Sequence, residues 1–542
     1  MSSFYRSNLI LTIIIVLAFI FRVYGLNWDQ GYHLHPDERM ITMVTNKISW
    51  PNNLNPEFFA YGSLPIYLLA IAGNLAGLID PLYSRYDQIN LVGRFLSALF
   101  DTGTVLVLYL LTKLIFNKIA ALLASLFYAI SVLPIQLSHF YAVDTPLTFF
   151  ITVCLYLLVK YRWSNHLRYL YFGGVSLGLA LATKTSALIL FVPLLISIPL
   201  HLNRHKIYKS VVSLVATLLL IFITFAISEP FALIDFATFF RQTMEQQVMT
   251  KDAFVFPYTL QYVGKVSYLY ELKNILWGLG PILSVLSLSG ILYITIYSVF
   301  KKRWLILIPV TFFWIYFLVV GGFAVGFMRY MLPLYPLFCL SAGFLLFELY
   351  EVIKQYLPKS LFIMLSSLII ALLLVWPLSF LQIYSTDNTR VTAPKWINSQ
   401  IPQTAVIARE HWDDELPTDN FGRYQSLELP MYEPDTPAKW DRVNNILGQA
   451  DYLIIASNRL YVPLMKLTNC QTLPTSRCYR QSADYYQKLF NQQLDYTKVA
   501  EFSSYPKIPF TNLAINDFDA DESFTVYDHP KIMIFKNEKL SQ

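Results

Sequence analysis

The stretch of this chain richest in chemistry runs from Arg22 to Tyr61, and its centre reads His33-Leu34-His35-Pro36-Asp37-Glu38-Arg39. Two carboxylates, two imidazoles and the guanidiniums of Arg22 and Arg39 follow an apolar segment, Asn8 to Phe21, that with its flanks can cross a bilayer at about 1.5 Å per residue. Charged groups beside hydrocarbon are costly and tend to mark sites. Pro36 biases His35 towards an extended conformation and suits the first turn of a helix, which puts Asp37 and Glu38 at that helix's N-terminus, where the dipole favours anions. Capping accounts for one acid but not for two acids beside two histidines. Neighbours in a helix point about 100° apart, so only one of the pair can face a reacting centre while the other holds the loop or a partner cation. In an extended strand His33, His35 and Asp37 would share one side, an alternative metal set that leaves a divalent ion open as a cofactor.

The same face of the membrane collects further ionisable residues at span ends. They are Arg22, Asp37, Glu38, Arg94, His139, Asp144, Lys184, Glu229 and Arg329, and they come from seven different spans or loops. Helices must bring them together if they share a cavity. Snorkelling at the interface is the alternative reading for Arg22 and Arg94. Asp144-Thr145-Pro146 opens a span, where a carboxylate caps the helix and also faces the outer cleft. Lys184 sits between two spans with almost nothing separating them, and Arg329-Tyr330 opens another before Pro333 and Pro336. Both cations are placed to attract an anion at headgroup level, such as a lipid phosphate.

Composition identifies the elements that must do the positioning. The chain has 542 residues, 55% hydrophobic and only 14% charged, where a soluble domain carries nearer a quarter charged. This is the composition of a polytopic α-helical membrane protein. Of its 41 basic and 35 acidic residues, 16 and 20 lie from Tyr384 onward, leaving 25 against 15 for the membrane part. The basic excess is therefore a topology signal and not a nucleic-acid footprint.

Eleven spans are expected, with cores at 8–24, 94–115, 119–136, 145–160, 169–183, 185–200, 210–228, 277–299, 304–321, 330–350 and 361–383. Leu64 to Ile79 is apolar but short and interrupted by Gly73 and Gly77, and reads as an interfacial helix. With the N-terminus inside, the breaks Lys113–Lys118, Lys160–Arg168, Arg204–Lys209, Lys301–Arg303 and Lys354–Lys359 are cytoplasmic and each carries two or more basic residues. The first outer loop, 27–93, and every residue of the opening stretch then face outward. The first span has no small-residue cleavage site after it and reads as uncleaved.

After residue 383 the character changes, and 384–542 reads as an extracytoplasmic α/β domain. Its strand-like runs are Ala405–Ala408, Tyr452–Ala456, Phe524–Tyr527 and Ile532–Phe535, with helical stretches at Pro394–Ser399 and Ala483–Phe490. Cys154 and Cys339 fall in apolar spans, whereas Cys470 and Cys478 are close enough to form a disulfide outside the cytoplasm.

In order along residues 1–383, the acidic pair Asp37-Glu38, the Tyr61-Gly62-Ser63-Leu64-Pro65 segment, Arg94, the His139–Asp144 segment, Ala182-Thr183-Lys184 and Arg329-Tyr330-Met331-Leu332-Pro333 resemble the GT-C superfamily of integral-membrane glycosyltransferases. The resemblance is to the branch of the protein O-mannosyltransferases and lipid A aminoarabinose transferases. It implies a GT-C fold in the plasma membrane and transfer of a sugar, with inversion, from a polyprenyl-phosphate-linked donor to a hydroxyl at the outer face. By the same resemblance Asp37, with Glu38 beside it, and Asp144 form the catalytic set. Lys184 and Arg329 would hold the carrier phosphate, and Tyr330, Arg94, His139 and Tyr61 complete the substrate-binding set. The partners so implied are the lipid-linked donor, membrane lipids and an acceptor, while the sugar and the kind of acceptor (protein, glycan or lipid) stay open. A lipid-carrier transporter or flippase is the rival class. Its ionisable groups belong near the bilayer midplane, whereas here the acids cluster outside.

Overall fold

The structure is a computed structural model that describes residues 2–198, 204–356, 358–411, 416–417 and 424–540. Pro199 and Leu200 at the end of the sixth expected span, and Leu357 in the last cytoplasmic break, lie outside the described residues. The chain forms two compact units. The first comprises 1–26, 36–247 and 266–378, and the second 27–35, 248–265 and 379–542.

The first unit is helical. Its leading elements are α1 (Ser2–Val23), α2 (Pro36–Thr45), α3 (Leu64–Ala76), α4 (Tyr86–Ile115), α5 (Lys118–Ala129), α6 (Val132–Ser138), α7 (Asp144–Ser164), α8 (Leu167–Leu181), α9 (Phe191–Ser197) and α10 (Arg204–Ser228). Long helices at Pro281–Phe300, Trp304–Gly321, Tyr335–Ile353 and Lys359–Leu381 follow. Among the described residues seven helices are long and apolar enough to cross a membrane, or eight if α5 and α6, bent by 54° at a short break, count as one span. The chain is a multi-pass membrane protein. The expected spans at 8–24, 169–183 and 185–200 appear as shorter apolar helices at Asn8–Val23, Leu167–Leu181 and Thr185–Ser197. Leu64–Ala76, read as interfacial, is short as well.

Local sequence explains several of these ends. Pro36 leads α2 with both acids in its first turn, and α7 closes on Asn165 in the left-handed region, φ 56°. Helices in lipid approach closely where side chains are small, because packing and not water expulsion drives their association. A Cβ at Gly178 would lie 2.8 Å from the carbonyl of Ile221, so α8 and α10 pack there nearly backbone to backbone.

The second unit is built on a five-stranded sheet of order β2-β1-β3-β5-β4, with β1 Val406–Glu410, β2 Gln425–Leu429, β3 Tyr452–Ile455, β4 Tyr496–Phe502 and β5 Ile532–Asn537. β1 runs parallel to β2 and β3, and β5 antiparallel to β3 and β4. Helices Thr389–Gln400, Pro437–Gln449 and Arg480–Phe490 accompany it. Cys470 and Cys478 are joined in a disulfide, Cα to Cα 5.3 Å. Phe524–Tyr527, expected as a strand, is instead the end of a short helix, Glu522–Thr525, and the residues after it. Asp521 caps that helix by accepting from the Ser523 amide, and Phe524 is buried on Phe380 and His529, so a cap and a core contact override the β-branched and aromatic pattern. Segment 248–265 joins this unit through Gln261, which donates to Glu522 at 2.5 Å, and through the carbonyl of Phe254, which accepts from Arg477.

Candidate functional site

All nine residues at the outer span ends lie in the first unit, whereas His33 and His35 of the opening run belong to the second. Four of them come together. Asp37 stands at the start of α2, Asp144 at the start of α7, Lys184 directly after the α8 turn, and Arg329 on the 3-10 turn Met328–Leu334 that leads into the helix Tyr335–Ile353. Arg329 Nη1 meets Asp37 Oδ2 at 2.8 Å, and its Nε lies 3.9 Å from Asp144 Oδ2. Lys184 Nζ donates to Asp144 Oδ1 at 2.9 Å. The cluster thus alternates acid and base, Asp37, Arg329, Asp144, Lys184, with three of the four side chains partly accessible and Asp144 only 2% exposed.

Aromatic rings and a close backbone contact fix this geometry. The Tyr330 ring lies 4.7 Å from Lys184 Nζ, and the Phe327 ring 4.7 Å from the Arg329 guanidinium, both within range of a cation–π attraction. Tyr316 donates to the carbonyl of Tyr330 at 3.0 Å and so holds the turn. Tyr61 donates its hydroxyl to Asp37 Oδ1 at 2.8 Å. Burial, and then the Asp37 charge, push the Tyr61 phenol well above its ordinary range, so it stays a neutral donor. Tyr61 is placed by two backbone bonds, from the Gly62 amide to Thr183 O and from the Leu64 amide to Ala182 O. A Cβ on Gly62 would fall 2.0 Å from Ala182 O, so only glycine allows this approach.

Glu229, at the outer end of α10, lines a small cleft with Tyr61 and Lys184. It is buried, accepts from the Ser63 hydroxyl at 3.4 Å, and burial pushes its carboxyl up to about 8 in spite of the Ser63 hydrogen bonds.

Three expected site residues do not reach this cluster. Glu38 and Arg94 are fully buried and bound to one another by two bonds of 2.5 and 2.9 Å, Glu38 also accepting from the Tyr141 amide and Arg94 donating to Leu26 O. Glu38 and Arg94 are thus committed to one another and to the backbone, away from the cluster around Asp37. His139 is buried with its ring nitrogens 2.8 Å from the carbonyls of Ile135 and Tyr24, which makes it a brace between α6 and the end of α1. Arg22, for which snorkelling was the alternative, is buried too. It pairs at 2.5 Å with Asp101, which also accepts from Tyr128 at 2.5 Å. Asp101 is the residue that sequence reasoning missed, and its signal was a lone carboxylate inside an apolar span.

The donor set does not fit a divalent cation. Each carboxylate of the cluster is already paired with a cation, and among the described residues no group of three or more His, Cys, Asp or Glu could hold a metal ion. His35 belongs to the second unit, where its ring packs 4.3 Å from that of Tyr527.

A sequence model of the dolichyl-phosphate-mannose-protein mannosyltransferase family matches residues 87–227, a stretch holding Arg94, His139, Asp144 and Lys184. No curated protein matches the chain. Among solved structures, the oligosaccharyltransferase of Archaeoglobus fulgidus in its apo form is 16% identical, with 95% of this chain and 75% of that one covered at a TM-score of 0.55. The same organism's oligosaccharyltransferase AglB, in complex with an inhibitory peptide and a dolichol-phosphate, is 14% identical, with 96% and 75% covered at a TM-score of 0.54. The chain thus shares its fold with this archaeal oligosaccharyltransferase.

Proposed function

We propose that this chain is an inverting glycosyltransferase that moves a sugar from a polyprenyl-phosphate carrier to a hydroxyl acceptor at the outer membrane face. The observation that carries this reading is the alternating cluster of Asp37, Arg329, Asp144 and Lys184, which four separate elements build at one set of helix ends. The archaeal oligosaccharyltransferase of like fold has been solved with a dolichol-phosphate and a peptide, which supports a lipid-linked donor. Counting the three shorter apolar helices as spans gives eleven, with the N-terminus in the cytoplasm, the site and residues 384–542 outside, and the chain in the plasma membrane.

Breaking a sugar–phosphate bond requires stabilising the negative charge that gathers on the leaving phosphate, while the attacking hydroxyl must lose its proton. Arg329 and Lys184 are the cations for the first task. Asp37 is the base for the second, and a single base without a nucleophile matches inversion. The two carboxylates hold the cations in place until a phosphate competes for them. When Arg329 turns to the carrier phosphate, Asp37 loses its guanidinium partner and becomes the better proton acceptor, so donor binding itself prepares the base. Tyr61 keeps the carboxylate oriented, and Asp144 keeps Lys184 and Arg329 on the same side.

Mass spectrometry of polyprenyl-phosphate sugars and their acceptors in cells with and without the chain tests the reading. One lipid-linked sugar should accumulate, and one glycosylated acceptor should disappear, when the chain is absent. Unchanged pools of both would refute it. Stranding of the donor in the inner leaflet, with its total pool unchanged, would favour the flippase.

A further inference from the structure

At the far ends of the helices that carry the site, a second cleft of about 590 Å³ opens within the first unit. It lies between the end of α4, the end of α7 and the start of the helix Trp304–Gly321, walled by Phe344 and Glu348 of the helix Tyr335–Ile353. α7 has Asp144 at its first residue and Arg162 near its last, about 27 Å apart along the helix, so the cleft belongs to the opposite membrane face. Its size is that of a ligand pocket.

Its lining has two halves. Arg162, Lys302 and Arg303 supply three positive charges, and among the described residues none of the three has an ion-pair or hydrogen-bond partner at its charged end. Every buried cation of the outer site, by contrast, is paired. Glu348 is the one carboxylate in the lining, and it accepts from Tyr293 at 3.4 Å, which leaves the cleft with a net positive charge. The other half is apolar. Phe116 stacks on Phe344 with ring centroids 3.8 Å apart, and Trp163 and Trp304, 63% and 58% exposed, have the placement of interfacial tryptophans.

We infer that this cleft binds an anionic phospholipid of the facing leaflet, its phosphate held by Arg162, Lys302 and Arg303 and its acyl chains laid along the Phe116 side. Unpaired cations beside apolar walls between membrane helices match a lipid phosphate better than a free anion, which would gain nothing from the rings and aliphatic carbons. A cytoplasmic loop that is basic only for topology needs neither a cavity nor an apolar wall.

The test uses the purified full chain in detergent and native mass spectrometry, titrated with dioctanoyl phosphatidylglycerol, with dioctanoyl phosphatidylcholine and with inorganic phosphate. Phosphatidylglycerol should bind with one preferred site and at least tenfold more tightly than phosphatidylcholine, and inorganic phosphate should not displace it at equal concentration. The variant Arg162→Gln/Lys302→Gln/Arg303→Gln should lose that preference. A control variant, Lys209→Gln/Lys301→Gln/Lys354→Gln, removes as much charge from the same face outside the cleft and should keep it. Lys302→Gln alone should weaken binding severalfold and serves if the triple variant does not fold. Equal binding by parent and cleft variants, equal loss in the control, or displacement by inorganic phosphate would each overturn the inference.

Discussion

Replacing Lys184 or Arg329 by Gln separates a phosphate ligand from a helix anchor. Each variant should weaken binding of a polyprenyl phosphate by about 1–3 kcal/mol, the range of a charge-assisted hydrogen bond, with binding to the purified protein as the measurement. Parent-like binding by both would move the phosphate elsewhere. Glu38 behaves differently, because its loss leaves the Arg94 guanidinium buried without its carboxylate. Glu38→Ala should cost about 3–5 kcal/mol of stability and show as a loss of folded protein in thermal unfolding. A folded Glu38→Ala protein that only lost transfer would restore Glu38 to the chemistry. The types of the four cluster residues were legible in the sequence, because charge at a span end is costly and so conspicuous. Their pairing was not. Neither Lys184 nor Arg329 has an acidic neighbour in sequence, and the partners Asp144 and Asp37 arrive from helices 40 or more positions away.

At the scale of elements, the site depends on how the Tyr61–Pro65 segment lies along the turn after α8. Gly62→Ala puts a methyl group against Ala182 O, so Tyr61 and Lys184 must shift together. Transfer should fall by tenfold or more while donor-independent thermal unfolding changes little, since the segment is a loop and a shift of about 1 Å is enough to misplace a catalytic group. Parent-level transfer by Gly62→Ala would mean that the segment does not position the site. Element type was readable where periodicity was strong, as for the long apolar helices and for β1, β3 and β5. It was not readable for β2, Gln425–Leu429, and β4, Tyr496–Phe502. Both are edge strands of the sheet and carry polar side chains on exposed positions, so neither shows an apolar run. The bend between α5 and α6 was hidden as well, because both halves are apolar and together have the length of one span.

For the molecule as a whole, the two units answer to different physics. The first is held by packing in lipid and by buried pairs such as Arg22 with Asp101. The second has a buried ionic centre, in which His529 lies 2.5 Å from Asp528 and 2.9 Å from Asp517, with Tyr384 donating to Asp528. Burial opposes the charge of His529, but Asp528 and Asp517 outweigh it and raise the imidazole from 6.5 to about 10. A raised value means that the charged form stabilises the fold. That contribution is complete below about pH 6.5, falls as pH rises and is gone above about 10. Unfolding followed from pH 6 to 10 should show the parent losing stability, and His529→Gln should flatten that slope; equal slopes would remove His529 from the linkage. The membrane class and the order of the site motifs were legible from composition and charge placement, whereas the inclusion of 27–35 and 248–265 in the second unit was not, since those segments have no composition of their own. The most direct test of the proposed chemistry is Asp37→Asn, expressed in cells lacking the chain. The variant should reach the membrane at parent level and bind polyprenyl phosphate, yet the lipid-linked sugar should accumulate as in the absence of the chain, with transfer reduced by about 10² or more. Parent-level glycosylation of the acceptor by Asp37→Asn would contradict the assignment of Asp37 as the base.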